Sequence, residues 1–234
     1  MNHLDLFSGI GGFALAASWV WGDEHNIVSF VEIDPFCQKV LAKNFPGVPI
    51  QSDIKEYKHD GTEIDLLTGG YPCQAFSNAS HGHIIAEDLS PSMFQTIKKV
   101  QPKFVVSENV AKKTIYDFAV QLSSIGYRTA IYRFAASEIG ADHKRNRWFA
   151  VAHSDNESEL FSAIDAKASK LQSLQESFWS YENYAGILRI SNGIPNRLHR
   201  LKSLGNAIVP QVVIPIMQAI KEIDENIVMQ SQGA

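Results

Sequence analysis

Short apolar, strand-like segments alternate with helix-like segments over the first two-thirds of this chain. The strand-like segments lie at residues 3–7, 27–33, 65–68 and 104–107, and the helix-like segments lie at 13–21, 35–44, 94–100 and 116–125. Strands that are separated by helices usually pair in parallel, and the helices then cover both faces of the sheet. The alternation therefore predicts an α/β fold with a doubly wound, mostly parallel sheet.

The pattern changes after this alternation. Residues 127–134 and 147–152 are β-rich and predict a late hairpin, whereas the segment that follows is polar and carries four aromatic residues at 178–184. We expect a main domain at 1–152, a small second lobe at 153–192, a C-terminal helix within 193–225 and a tail at 226–234.

Composition argues against two classes of protein. The chain is 45% hydrophobic and 20% charged, and it has no apolar run near the roughly 18 to 20 residues of a membrane span. A net charge of −4 argues against binding nucleic acid through bulk charge, although basic clusters at 143–147 and 196–202 could contact phosphates or bases. Cys37 and Cys73 make no disulfide framework and no secretory signal is evident, so we expect a cytoplasmic protein.

Cys73 stands in an unusual setting for a cysteine. It follows Pro72 among glycines and small polar residues, directly after a strand-like run, where a loop is expected. A thiolate on such a loop can reach a ligand and is a strong nucleophile near neutral pH. Cys37 lies in a helix-like segment instead, and we expect it to be a buried apolar residue.

Glycines and carboxylates follow the predicted strands. Gly9 and Gly12 come directly after the first strand, Glu32 closes the second, and Asp53 follows the next helix. This arrangement predicts a nucleoside-binding rim, in which the acidic side chain binds ribose hydroxyls. The glycines could also form only a tight turn, and Asp53 could cap a turn. No lysine follows the glycines, which disfavours a triphosphate.

Glu108 lies at the end of the fourth predicted strand, where it would face the same crevice as Cys73. The alternative is a helix cap at Asn109 with Glu108 exposed to solvent.

Taken in order, these motifs resemble the DNA (cytosine-5)-methyltransferases, with the compact size of phage or prophage members. The resemblance covers about residues 3–153 and 193–215. The segments that carry it are Phe7-Ser8-Gly9-Ile10-Gly11-Gly12, Glu32, Asp53-Ile54, Pro72-Cys73-Gln74, Glu108-Asn109-Val110, Arg145-Asn146-Arg147 and Gly205-Asn206-Ala207-Ile208-Val209-Pro210.

The resemblance implies a Rossmann-like methyltransferase fold and a covalent mechanism. Cys73 would add to C6 of a flipped-out cytosine, so that C5 can attack the methyl group of S-adenosyl-L-methionine. A protonated Glu108 would bond at N3, Arg147 would contact O2, and Arg145 would support it or touch a phosphate. The implied cofactor-binding residues are Phe7, Gly9, Ile10, Gly12, Glu32, Ile33, Asp53, Ile54, Gly70, Pro72, Asn206 and Ala207; no metal is implied.

The resemblance also implies the partners. The substrate would be double-stranded DNA, and residues 153–192 would form a target-recognition segment that is short for the family. A protein partner could therefore supply target recognition to an otherwise monomeric enzyme. Two alternatives stay open: a cytosine-5 methyltransferase acting on tRNA or another RNA, and a catalytically weak module that binds S-adenosylmethionine and DNA.

Overall fold

The structure is a computed structural model that describes residues 1–72, 87–139, 141, 144–155, 159–173 and 203–232. Its strands are β1 Asn2–Leu6, β2 Asn26–Val31, β3 Ile50–Gln51, β4 Leu66–Gly69, β5 Phe104–Asn109, β6 Arg128–Ala135 and β7 Asn146–His153. Its longer helices are α1 Gly12–Trp21, α2 Pro35–Asn44, α3 Ser90–Val100, α4 Lys112–Ser124, α5 Glu159–Ser173 and α6 Pro210–Gln232.

The strands form one sheet in the order β3-β2-β1-β4-β5-β7-β6. The first five strands in this order pair in parallel, and β6 and β7 form the predicted hairpin, with β7 antiparallel to β5. The predicted doubly wound sheet is therefore confirmed. From β1 the chain builds outward through β2 and β3, then returns to build β4 and β5 on the other side. The sheet thus has its topological switch point between β1 and β4, where ligands bind in such folds.

Helices cover both faces of the sheet. Phe104 and Val106 of β5 pack with residues of α1, α5 and α6, whereas Val105 packs with residues of α3 and α4. Side chains alternate between the faces of a strand, so Glu108 lies on the same face as Phe104 and Val106. This parity directs Glu108 toward the side of the sheet on which α1 and α6 begin.

Local capping explains why α2 has the bounds that the sequence predicts. The Asp34 side chain accepts hydrogen bonds from the backbone N–H groups of Phe36 at 2.8 Å and Cys37 at 3.4 Å. Pro35 occupies the first helical position, where its missing N–H is not needed.

The C-terminal helix extends beyond its predicted end. It begins at Pro210, within the predicted range 193–225, and it continues to Gln232 through residues predicted to form a tail. Ile216, Ile220 and Ile223 are buried, and Ile227 still packs against the same core. The apolar stripe therefore extends past the predicted boundary at 225 as far as Ile227, which packs against the core.

Part of the predicted recognition segment belongs to the core. Helix α5 lies within 153–192, and its Leu160 and Ile164 are fully buried against α6 and the sheet. The Tyr132 hydroxyl donates to the backbone oxygen of Phe161 at 3.2 Å. The rest of that segment, from residue 174 on, lies outside the described residues. None of the described helices is long and apolar enough to cross a membrane.

Four buried or partly buried polar side chains form a hydrogen-bonded row across β1 and β4, although the sequence predicts an apolar strand at β1. The Thr68 hydroxyl lies 2.7 Å from both Asp5 Oδ1 and His3 Nε2, and His3 Nδ1 lies 2.9 Å from His25 Nε2. Burial raises the pKa of Asp5 to about 7, lowers the pKa of His3 and lowers that of His25 to about 4. Burial thus favours the uncharged form of each group.

Candidate functional site

A cleft of about 460 Å³ lies at the carboxyl ends of the parallel strands, beside the switch point. Loops after β1, β2, β3, β4 and β5 supply most of its wall, and α2, β7 and the turn before α6 contribute further residues. The residues that line it are Phe7, Gly9, Val31, Glu32, Ile33, Asp34, Pro35, Cys37, Ser52, Asp53, Ile54, Gly70, Tyr71, Pro72, Leu89, Glu108, Asn109, Val110, Arg147, Ser203 and Asn206.

Most of the predicted site residues meet in this one cleft. The predicted residues in its wall are Phe7, Gly9, Glu32, Ile33, Asp53, Ile54, Gly70, Pro72, Glu108, Arg147 and Asn206. Of the predicted residues that are described, Ile10, Gly12, Arg145 and Ala207 do not line it. Cys73 lies outside the described residues, and Pro72, directly before it in the chain, is in the wall.

Glu32 ties two loops of the cleft together. Its carboxylate accepts a hydrogen bond from the backbone N–H of Gly9 at 2.6 Å and another from that of Asp34 at 2.7 Å. Burial raises the pKa of Glu32, and these hydrogen bonds oppose that rise. Each carboxylate oxygen can accept more than one hydrogen bond, so Glu32 can still bind hydroxyl groups of a ligand. Phe7, next to this loop, has a left-handed φ of 52°, a strained conformation that clusters at functional sites.

Asp53 serves two purposes in the structure. Its side chain accepts from the backbone N–H of Lys55 at 2.9 Å and caps a single 3₁₀ turn at Ile54–Glu56, so the capping alternative is confirmed. It also lines the cleft, as does Ile33, a residue that is 69% exposed. An exposed isoleucine beside capped polar loops offers an apolar surface for a flat ring.

The other end of the cleft holds a buried ion pair. Arg147 Nε lies 2.7 Å from Glu108 Oε1, and both side chains are largely buried, so the alternative of an exposed Glu108 is wrong. Burial raises the pKa of Glu108 to about 7, while the guanidinium groups of Arg147 and Arg145 act to lower it. A carboxyl group with this pKa can give or take a proton near neutral pH.

Asn109 fastens the chain that leads to Cys73. Its amide nitrogen donates to the backbone oxygen of Tyr71 at 3.1 Å, and its side-chain oxygen accepts from the N–H of Ala111 at 3.1 Å. The bond to Ala111 forms a turn before α4 and is not a helix cap, because Ala111 is the N-cap residue of α4 and no side chain caps that helix; the capping alternative for Asn109 is therefore wrong. The Tyr71 hydroxyl also donates to the backbone oxygen of Thr114 at 3.1 Å. Sequence reasoning missed Tyr71, because its contact with residue 114 has no local signature.

The turn at 203–207 closes the cleft from the C-terminal side. Ser203 Oγ lies 3.4 Å from Cys37 Sγ, and Arg145 Nη2 donates to the backbone oxygens of Gly205, at 2.7 Å, and Ala207. Cys37 is buried as expected, but it also stands in the cleft wall. Ser203 was not predicted either, since only the folded chain brings it to Cys37.

Gly12 is a packing position beside the cleft, and Gly12→Ala should destabilise the protein by about 1–3 kcal/mol. An added Cβ would lie 2.3 Å from Ile208 Cγ2 and 2.9 Å from the backbone oxygen of Ile208, so the two segments would have to separate. Urea unfolding measures the effect. Gly205→Ala is the matched control, because a Cβ there meets no atom within 4 Å. Equal unfolding midpoints for the two variants would contradict the contact.

Comparisons with known proteins agree with this geometry. The family model of C-5 cytosine-specific DNA methylases matches residues 1–192. The type II methyltransferase M1.HphI of Haemophilus parahaemolyticus is 31% identical over 66% of this chain and 46% of its own length. M2.BsuMI of Bacillus subtilis (strain 168), another type II methyltransferase, is 34% identical over 65% of this chain and 42% of its own length.

A solved structure gives the same result. A DNA modification methyltransferase described as putative and encoded within a prophage of E. coli superposes with a TM-score of 0.54 at 26% identity, over 69% of this chain and 50% of its own. The chain therefore spans about half the length of the relatives that it matches.

Proposed function

Because this chain belongs to the family of C-5 cytosine-specific DNA methylases, we propose that it transfers a methyl group from S-adenosyl-L-methionine to C5 of a cytosine in DNA. The observation that carries the proposal is that residues of the Gly9–Glu32 rim and of the Glu108–Arg147 pair line the same cleft. A cofactor at one end and a target base at the other would meet inside it.

The cofactor end suits an adenosine group. Glu32 would bind the ribose hydroxyls. Asp53, which caps the turn after β3, would bind the adenine together with Ile54 and the exposed Ile33, which offers an apolar surface to the ring. The cleft volume is in the range of small-molecule sites. Bound S-adenosylmethionine would supply an electrophilic methyl group. Gly70, Pro72 and Asn206, in the same wall, would bind its methionine half.

The base end suits covalent activation of cytosine. The Cys73 thiolate would add to C6, and the electron pair of the C5–C6 double bond would move to C5, which then takes the methyl group. Glu108 would give a proton to N3 as negative charge develops on the ring, and Arg147 would bind O2. As C5 takes the methyl group, S-adenosylhomocysteine would be released and N3 would return its proton to Glu108. Loss of the C5 proton to solvent and expulsion of Cys73 as thiolate would then restore the C5–C6 double bond and free the product.

The base must leave the duplex to reach the cleft, at a cost of a few kcal/mol. Helix α5 is packed into the core, so we assign target reading to residues after 173 or to a protein partner of an otherwise monomeric enzyme. We propose that the protein acts in the cytoplasm of a bacterium or of a phage-infected host.

The pH dependence of the reaction should report the ionisation of Glu108. Only the protonated acid can supply the N3 proton, and burial raises the pKa of this group to about 7. The ratio of wild-type to Glu108→Gln activity should therefore fall as the pH rises above about 7, because the glutamine amide does not ionise. Initial rates of both proteins from pH 6 to pH 9 give this ratio. Both proteins contain Cys73, so the effect of its ionisation on the rate cancels in the ratio. A ratio that stays constant over this range would exclude the acid role.

Transfer of a labelled methyl group tests the proposal directly. The purified protein should methylate duplex DNA, and nuclease digestion should release 5-methylcytidine as the deoxynucleoside. Faster transfer to tRNA than to DNA would make RNA the substrate. If the protein binds S-adenosylmethionine but transfers the methyl group to neither DNA nor tRNA, it would be a non-catalytic binding module.

A further inference from the structure

The side chain of Arg145 is fixed by backbone atoms of a distant turn. Its Nη2 atom donates to the backbone oxygen of Gly205 at 2.7 Å and also to that of Ala207. Arg145 itself has a φ of 37°, in the left-handed region that non-glycine residues rarely adopt. Such a conformation persists where the surroundings over-determine it, and it is common at functional sites.

The turn that Arg145 holds is part of the cleft. Asn206 lies between the two carbonyl groups that Arg145 binds, and it lines the cleft together with Ser203. Ile208, the next residue but one, packs against Gly12 at the start of α1. The middle of the turn therefore depends on Arg145, whereas its two ends rest on other parts of the protein.

Arg145 also belongs to the charge cluster at the base end. Its guanidinium group favours the ionised form of Glu108, and it repels the guanidinium group of Arg147. One carboxylate thus balances two neighbouring cations. Protonation of Glu108, or a cytosine bound to it, changes that charge balance. The electrostatic force on Arg145 therefore depends on whether a cytosine occupies this end of the cleft.

We propose, on the basis of the proposed function, that Arg145 is a positioning residue that couples the two ends of the cleft. It lies beside the Glu108–Arg147 pair and holds the turn that carries Asn206, so that a cytosine at one end and the cofactor at the other bind cooperatively. The residue acts through Asn206 and touches neither ligand. This goes beyond the support of Arg147 or the phosphate contact that the family resemblance implies for Arg145.

Cofactor affinity provides the first test. Calorimetric titration with S-adenosylmethionine should give a dissociation constant at least about tenfold higher for Arg145→Ala than for the wild type. Arg145→Lys should fall between the two, because an ammonium keeps the charge but loses the planar fork. Lys144→Ala is the matched control: it removes the exposed neighbouring cation and should leave this affinity unchanged.

A double-mutant cycle separates positioning from general destabilisation. If Arg145 acts through the turn, Arg145→Ala should weaken cofactor binding much less when Asn206 is already alanine. A cytosine-containing duplex should tighten cofactor binding in the wild type, and Arg145→Ala should lose this effect. Additive effects of the two substitutions would overturn the proposal, as would a loss of kcat with unchanged cofactor affinity. A wild-type protein that binds no S-adenosylmethionine would instead refute the proposed function.

Discussion

Cys73→Ser should abolish methyl transfer, with a loss of at least about 10⁴-fold in kcat, as is usual when a covalent nucleophile is removed. A serine hydroxyl is almost fully protonated at neutral pH, and no general base is assigned to activate it, so it would not add to C6 of cytosine. S-adenosylmethionine should still bind, because the residues assigned to it line the cleft on other loops. Transfer of a labelled methyl group and calorimetric titration measure the two properties separately.

A covalent trap provides the control for this variant. A duplex that carries 5-fluorocytosine in place of cytosine cannot lose a proton from C5, so the wild-type protein should remain attached to it through Cys73. Cys73→Ser and Cys73→Ala should give no attached species on a denaturing gel. If the serine variant turns over at a rate near that of the wild type, the covalent mechanism is wrong.

Glu108→Gln should lower kcat by about 10²- to 10⁴-fold at pH 7 and below, the range expected for losing a general acid. The amide can donate a hydrogen bond to N3, but it cannot transfer a proton as the ring gains negative charge. The substitution also removes the charge partner of Arg147, whose Nε lies 2.7 Å from Glu108 Oε1. We therefore expect some loss of stability, which thermal unfolding measures independently of the rate.

Asp117→Asn is the matched control for Glu108→Gln. It removes one negative charge from an exposed carboxylate on α4 that pairs with Lys113 and does not line the cleft. Its rate should match that of the wild type, since exposed ion pairs contribute little. A Glu108→Gln enzyme with wild-type kcat and an intact fold would remove Glu108 from the mechanism.

Local signals explain where the sequence predicted the fold well. The bounds of α2 follow from Asp34 and Pro35, two neighbouring residues whose cap and fixed φ act within one turn. The predicted tail at 226–234 was wrong as far as Gln232, because packing of Ile227 against the core is a tertiary effect. Likewise, β1 reads as an apolar strand, yet His3 and Asp5 are buried there with Thr68 and His25 as partners from other segments.

The sequence by itself determined the kinds of chemical group and their order: a parallel α/β sheet, a glycine loop, and carboxylates and arginines at strand ends. These follow from periodicity and residue type, which act over short distances along the chain. Only the tertiary structure decided how the groups pair. The antiparallel pairing of β5 with β7 brings Arg147 to Glu108, and the turn before α6 accepts a hydrogen bond from Arg145. Local sequence patterns do not predict these contacts, because each joins segments far apart in sequence.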